Sequence, residues 1–298
     1  MSTCIILTCS MARDIELFEL LAESIDRFVP EHVQHRVVVP ASDVAAFARF
    51  SNMRRQIVSQ DNALPFKVRA FPKILTRLSP FVGTLRRPLY LAPGRNVVRG
   101  WVLQQILKIE KTRVLDADVV LHVDSDVFFV RPFDTDMVFP DGHPSFFRIA
   151  TENLSPEHAR WTETSHRILG IESTKGQTAH YVENCIPWSP KIIRDMVSRI
   201  EDVHKVAWYK VLLRERSFSE YFIHGRFMDE LADDSVVKAC SRTICKTYWP
   251  ASDGNISSYL AKSARFTDHV AVAIQSTENI PVSKRRHIFD RMAAGAVS

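Results

Sequence analysis

The chain is 298 residues long, with 46% hydrophobic and 24% charged residues and a formal net charge of +5. This composition excludes a disordered chain, a collagen-like repeat and a disulfide-stapled scaffold, and the length suffices for a sizeable core. The charge is uneven: Arg54 to Arg113 holds 13 Lys/Arg against Asp61 and Glu110, a local +11 that leaves the remainder at −6.

Cys4 to Thr8 is a short apolar run with β-branched residues, and it predicts a buried first strand. From Asp14 the positions Ile15, Phe18, Leu21, Ile25 and Phe28 predict an amphipathic helix that Pro30 ends. His35 to Val39 predicts a second strand stopped by Pro40, and Ser42 and Asp43 cap a short helix over Val44 to Phe50. This alternation implies a parallel, doubly wound sheet. Five prolines between Asn52 and Gly94 argue against long helices there. Asn96 to Ile109 then predicts a helix, and Asp118 to Val123 a strand running into Asp124-Ser125-Asp126, with Val127 to Val130 extended beyond it.

In the second half, helices are predicted over Pro156 to Leu169, Pro190 to Ile200, Val206 to Leu213 and Glu220 to Leu231. Short strands are predicted near Tyr181–Pro187, Ile244–Tyr248 and Val270–Ile274. No repeat or low-complexity linker divides the chain, so we expect one domain. The N-terminus lacks a positively charged n-region, no window approaches a spanning helix, and the five cysteines form no CxxC pair. A cytoplasmic protein with reduced thiols is the expectation. Basic and aromatic residues mixed between Phe66 and Trp101 leave a peripheral membrane contact open.

Three Asp-x-Asp triplets occur: 116/118, 124/126 and 134/136. Only Asp124-Ser125-Asp126 sits at the carboxyl end of a strongly apolar strand, where ligands bind in open α/β sheets. Two carboxylates emerging from buried sequence need neutralising, and their hard oxygens suit Mg2+ or Mn2+ bridging to substrate phosphates.

The runs Gly100 to Lys108, Val119 to Asp126, Ile5 to Asp14 and Phe218-Ser219-Glu220-Tyr221 to Gly225 resemble GT-A-type glycosyltransferases, and more narrowly bacterial enzymes found with capsule and surface-polysaccharide genes. The resemblance implies a GT-A-like (Rossmann-like) α/β fold, a mostly parallel sheet flanked by helices. Residues 1–140 would form the nucleotide-sugar half and 141–298 an irregular acceptor half. It further implies that Thr8, Ser10 and Arg13 hold the nucleotide, that Asp124 lies near the ribose or sugar, and that Asp126 is the stronger metal ligand. A third ligand, often His, comes from the C-terminal part in such families. Here the candidates are His269 and His224.

Glu220 is the candidate general base: it opens a predicted helix behind Ser219, amid aromatic neighbours that would desolvate its carboxylate. The alternative is a first-turn acid favoured by the helix dipole. Trp188, in a rigid loop, is the candidate acceptor platform, since indole faces stack on sugars; core packing is the competing fate. Gln104, Gln105 and Lys108 are expected to point toward the donor site, and Trp101 to pack on the sheet. The expected function is metal-dependent sugar transfer from a nucleotide-sugar to a saccharide or lipid-linked saccharide, with the +11 segment facing phosphates. Two competing readings are a nucleotidyl or phosphoryl transferase on the same Asp pair and a basic polyanion-binding protein. The first lacks a Gly-rich phosphate loop and the second a nucleic-acid motif, so no nucleic-acid partner is expected.

Overall fold

A computed structural model describes residues 2–70, 89–172, 178–233, 235, 238–250, 254–262 and 268–294. Its centre is a five-stranded sheet in the order β12-β7-β1-β2-β3. Strands β1 (Cys4–Cys9), β2 (Gln34–Val39), β3 (Arg55–Ser59) and β7 (Val119–His122) run parallel. Strand β12 (Ile186–Trp188) closes the edge antiparallel to β7. Such a sheet needs cover on both faces, and strand alternation supplies two sets of apolar side chains. Cys4, Ile6, Val37, Val39, Val119 and Leu121 face one core, with helix α1 (Ile15–Phe28). Leu7, Val38 and Val120 face the other.

The chain steps outward from β1 to β2 and β3, then returns to place β7 on the other side of β1. The crevice outside the carboxyl ends of β1 and β7 is therefore the topological switch point. A single helical turn, α2 (Val44–Phe47), joins β2 to β3, and between β3 and β7 lie a second such turn, α3 (Gln60–Ala63), and the antiparallel strands β4 (Arg69–Ala70), β5 (Leu89–Ala92) and β6 (Asn96–Arg99). Helix α4 (Gly100–Val114) follows. The expected helix from Asn96 thus starts four residues late. Gly94, at φ 76°, turns β5 back into β6, and the β-branched Val97 and Val98 extend along it. The expected helix over Val44–Phe50 is split after Phe47 by a 3-10 turn. Strand β3 was not anticipated.

Strand β8 (Val127–Phe129) leaves the main sheet for a second one, ordered β14-β15-β8, with β14 (Cys245–Tyr248) and β15 (Ala271–Ile274). Ala273 pairs with Val127 across β15 and β8, which brings the end of β15 beside Asp126. Two small pairs, β9 (Ser145–Phe147) with β13 (Lys238–Cys240) and β10 (Ile149–Ala150) with β11 (Ala179–His180), complete the strands. The remaining helices among the described residues are α5 (Pro156–Leu169), α6 (Pro190–His204), α7 (Trp208–Arg214), α8 (Glu220–Glu230), α9 (Ile256–Lys262) and α10 (Val282–Ala294). The expected strand over Tyr181–Pro187 is interrupted. Cys185 adopts φ 59°, and only Ile186–Trp188 joins the sheet. Among the described residues no helix is long and apolar enough to cross a membrane.

Candidate active site

The switch-point crevice is a cleft of two joined compartments. The first, of about 250 Å³, is lined by Ser10 and Arg13 after β1, by Asp124, Ser125 and Asp126 after β7, and by Gln275, Ser276 and Thr277 after β15. The second, of about 260 Å³, lies between α4 and the start of α8 and is lined by Gln105, Lys108, Glu183, Asn184, Glu220 and Trp249, among others. Asp124, Trp101, Gln104 and Gln275 belong to both walls.

Local bonds fix the first compartment. The Ser125 hydroxyl donates to the Ser10 hydroxyl at 2.8 Å, joining the loops after β7 and β1. The Asp43 carboxylate accepts the Ala12 N–H at 2.7 Å and anchors the loop that carries Arg13. The Ser276 N–H donates to Asp126 Oδ2 at 2.7 Å, and the Ile274 N–H to the Asp126 carbonyl at 3.1 Å. Burial and the neighbouring Asp124 push the Asp126 carboxyl up to about 6, against the Ser276 N–H and Arg285. Arg285, buried on α10, donates to the carbonyls of Ile274, Gln275 (3.0 Å) and Ile280 (3.0 Å) and so holds the loop that carries Ser276.

The second compartment is organised around Lys108. This buried ammonium lies 3.3 Å from Asp124, 3.3 Å from Glu220 and 3.0 Å from the Tyr221 hydroxyl. Burial opposes its charge, yet Asp124, Tyr221 and Glu220 together hold its pKa well above the ordinary value. Glu220 opens α8 and is only 4% exposed. Burial raises its pKa, while Lys108 draws it down. Its backbone N–H donates to Gln105 Oε1 at 2.9 Å, so a side chain of α4 caps the first turn of α8.

Ser10, Arg13, Asp124 and Asp126 therefore meet in the first compartment, and Gln105, Lys108 and Glu220 in the second. Thr8 does not reach the cleft. It is fully buried on the α1 face of β1, its hydroxyl 3.0 Å from His35 Nε2, because alternation turns it away from its neighbour Cys9. His269 stands at the opposite end of β15. Its carbonyl accepts from Arg131, whereas Asp126 is level with Ile274, five residues and about 16 Å further along. His224 is stacked on Trp188 at 5.0 Å, and burial lowers its pKa to about 3. Trp188 itself is fully buried among His122, Tyr221 and His224, so core packing claims it. The cleft indoles are instead Trp101, Trp161 and Trp249. Trp101, expected to pack on the sheet, thus lines the cleft instead.

The described part of the basic segment mostly faces away from the cleft. Arg54 donates to the carbonyls of Ile25, Val29, Pro30 and Val33, Arg55 pairs with Asp26 at 2.7 Å, and Arg113 with Glu110 at 2.7 Å. Of that segment's described cations, only Lys108 lines the cleft. Residues 71–88 lie outside the described residues. Among the described residues no group of three or more His, Cys, Asp or Glu is placed to hold a metal ion. Asp124 and Asp126 form a two-carboxylate set. Asp124 Oδ1 is buried without a hydrogen bond and faces the Lys108 ammonium at 3.3 Å, while among the described residues Asp126 has no such ammonium beside it.

A family profile matches residues 3–293, so the chain belongs to a family described as of unknown function, DUF6492. No curated protein matches the sequence. Among solved structures, the chain is similar to galactosyltransferase LgtC in complex with donor and acceptor sugar analogues, at 11% identity and a TM-score of 0.42, covering 99% of this chain and 96% of that one. It is also similar to mouse xyloside xylosyltransferase 1 in its apo form, at 10% identity and a TM-score of 0.46, covering 94% and 99%.

Proposed function

We propose that the chain is a metal-dependent glycosyltransferase of GT-A type, moving a sugar from a nucleotide-sugar to a saccharide or lipid-linked saccharide. The observation that carries this reading is Asp124, shared by an acidic compartment at the strand ends and a second compartment walled by Glu220 and indoles. Two substrates can then meet at one carboxylate. The surface-polysaccharide setting belongs to the same proposal and is supported by the sequence resemblance alone; the cytoplasmic, peripherally attached location is supported by the unpaired cysteines and by the basic and aromatic residues mixed between Phe66 and Trp101.

Asp124 and Asp126 suit Mg2+ or Mn2+, which take one or two protein carboxylates and fill their remaining positions with water and substrate phosphate. Such an ion would stabilise the charge growing on the departing nucleoside diphosphate. Ser10 and Arg13 would contact the nucleotide in the first compartment. In the second, Glu220 would accept the proton of the acceptor hydroxyl as its oxygen bonds to the anomeric carbon and the bond to the diphosphate breaks. Lys108 favours the ionised form of Glu220, the form a base needs, while burial raises its proton affinity. The Gln105 contact fixes the start of α8 and with it the carboxylate. A thermal-shift panel of nucleoside diphosphates and nucleotide-sugars, with and without Mn2+, tests the reading through mass action. Stabilisation that needs both nucleotide and cation is expected. Stabilisation by neither would end it.

A further inference from the structure

The second compartment has a chemistry of its own. Three carboxylates, Asp124, Glu183 and Glu220, line it against one ammonium, Lys108. That ammonium is already paired with two of them at 3.3 Å. Glu183 accepts the Thr247 hydroxyl and, at 2.9 Å, the Asn184 N–H, and Lys246 outside the compartment's lining favours its charged form. Three indoles form the apolar wall: Trp101 and Trp161, their rings 6.0 Å apart and tilted by 32°, and Trp249, 46% exposed at the mouth. Gln105 adds a donor. It is 1% exposed, its Oε1 is taken by the Glu220 N–H, and its Nε2 is buried with no acceptor.

We propose that this compartment selects an uncharged pyranose, and excludes acceptor sugars carrying a carboxylate or phosphate at the bound ring. Indoles offer faces to the C–H side of a pyranose. The amide of Gln105 and the carboxylates offer partners to its hydroxyls. An anionic ring would meet three carboxylates against one lining ammonium already paired with two of them, and unfavourable juxtaposition of that kind is how sites reject the wrong partner. The inference rests on the transferase reading only in calling the bound sugar the acceptor.

Saturation-transfer NMR on the full chain tests it, with Mg2+ and a set of nucleoside diphosphates present. The probes are methyl glycosides of glucose, galactose and mannose, the matching methyl uronates, and the matching 6-phosphates. At least one neutral glycoside is expected to bind at least about tenfold more tightly than its uronate and phosphate counterparts. Trp101→Ala should remove that signal and Trp101→Phe restore part of it, with thermal unfolding confirming that both fold. Glu183→Gln should narrow the gap between neutral and anionic sugars, and an unchanged gap removes charge as its cause. Anionic sugars binding as well as their neutral parents overturn the proposal, as does the absence of any neutral-sugar signal. Nucleotide signals in the same tube report the other compartment. Failure there breaks the transferase reading and leaves the sugar result standing.

Discussion

The two compartments treat their carboxylates in opposite ways. Asp126 keeps its charge at the cost of a raised pKa, compensated by backbone N–H groups and a nearby guanidinium. Glu220 is deeper, yet it has a direct ammonium partner in Lys108. The first arrangement leaves negative charge for an external cation. In the second, Glu220 has its own counter-charge at 3.3 Å, although the compartment as a whole stays acidic. An acidic residue in a cleft can thus be a ligand or a base according to whether the fold supplies its counter-charge.

The largest effect that would sharpen this contrast is at the DxD end. Asp126→Ala should abolish cation-dependent nucleotide binding in calorimetry with the fold intact; binding that persists unchanged would falsify the ligand assignment. Glu220→Gln should reduce turnover by about 10²-fold or more while nucleotide binding stays at wild-type strength. Near-wild-type turnover would remove Glu220 as base. Lys108→Met leaves Glu220 buried without its partner. We expect about 3 kcal/mol of lost stability in urea titration, the low end for breaking a buried pair because Asp124 still reaches solvent. A loss below ~1 kcal/mol would mean that the balance is illusory.

pH offers a subtler probe. The Asp126 pKa is raised on folding, so its penalty is fully present above pH 6 and is relieved as pH falls through 6 toward the unfolded value. Metal-free Asp126→Asn should therefore be more stable than the parent at pH 7, by about 1–3 kcal/mol, and the difference should vanish near pH 4. No stabilisation at pH 7 would show that the carboxylate is already compensated. The smallest effect is expected at Arg285→Met. Loss of its three carbonyl contacts should loosen the 275–277 loop and weaken cation-dependent nucleotide binding several-fold, a change that Arg285→Lys should partly reverse.

Much of the N-terminal half was legible in the sequence because its signals are local. Val119 to Leu121 is apolar and the strand is buried on both faces, so the carboxylates that follow had to emerge at a strand terminus. Glu220 was legible by the same logic, as an acid behind a cap residue in an aromatic run. Thr8 and Cys9 alternate across β1, but which face holds the cleft depends on where β7 returns, and no local pattern encodes that. Trp188 and Trp101 could not be ranked by sequence. Trp188 packs inward from an edge strand antiparallel to β7, and Trp101 stands at the first turn of a helix beside the cleft.

The sequence by itself determined the parallel sheet, the emerging Asp pair and the acid at the start of α8, since each follows from periodicity or capping within a few residues. Tertiary structure alone decided what the charges do. Lys108 meets Glu220 across 112 positions, and the Ser276 N–H meets Asp126 across 150. Arg54 and Arg55, which inflate the basic segment, spend their charge on carbonyls and an aspartate around α1. A guanidinium or ammonium buried in a protein is committed to whichever acceptors the fold brings near it, and net charge along a sequence cannot reveal that commitment.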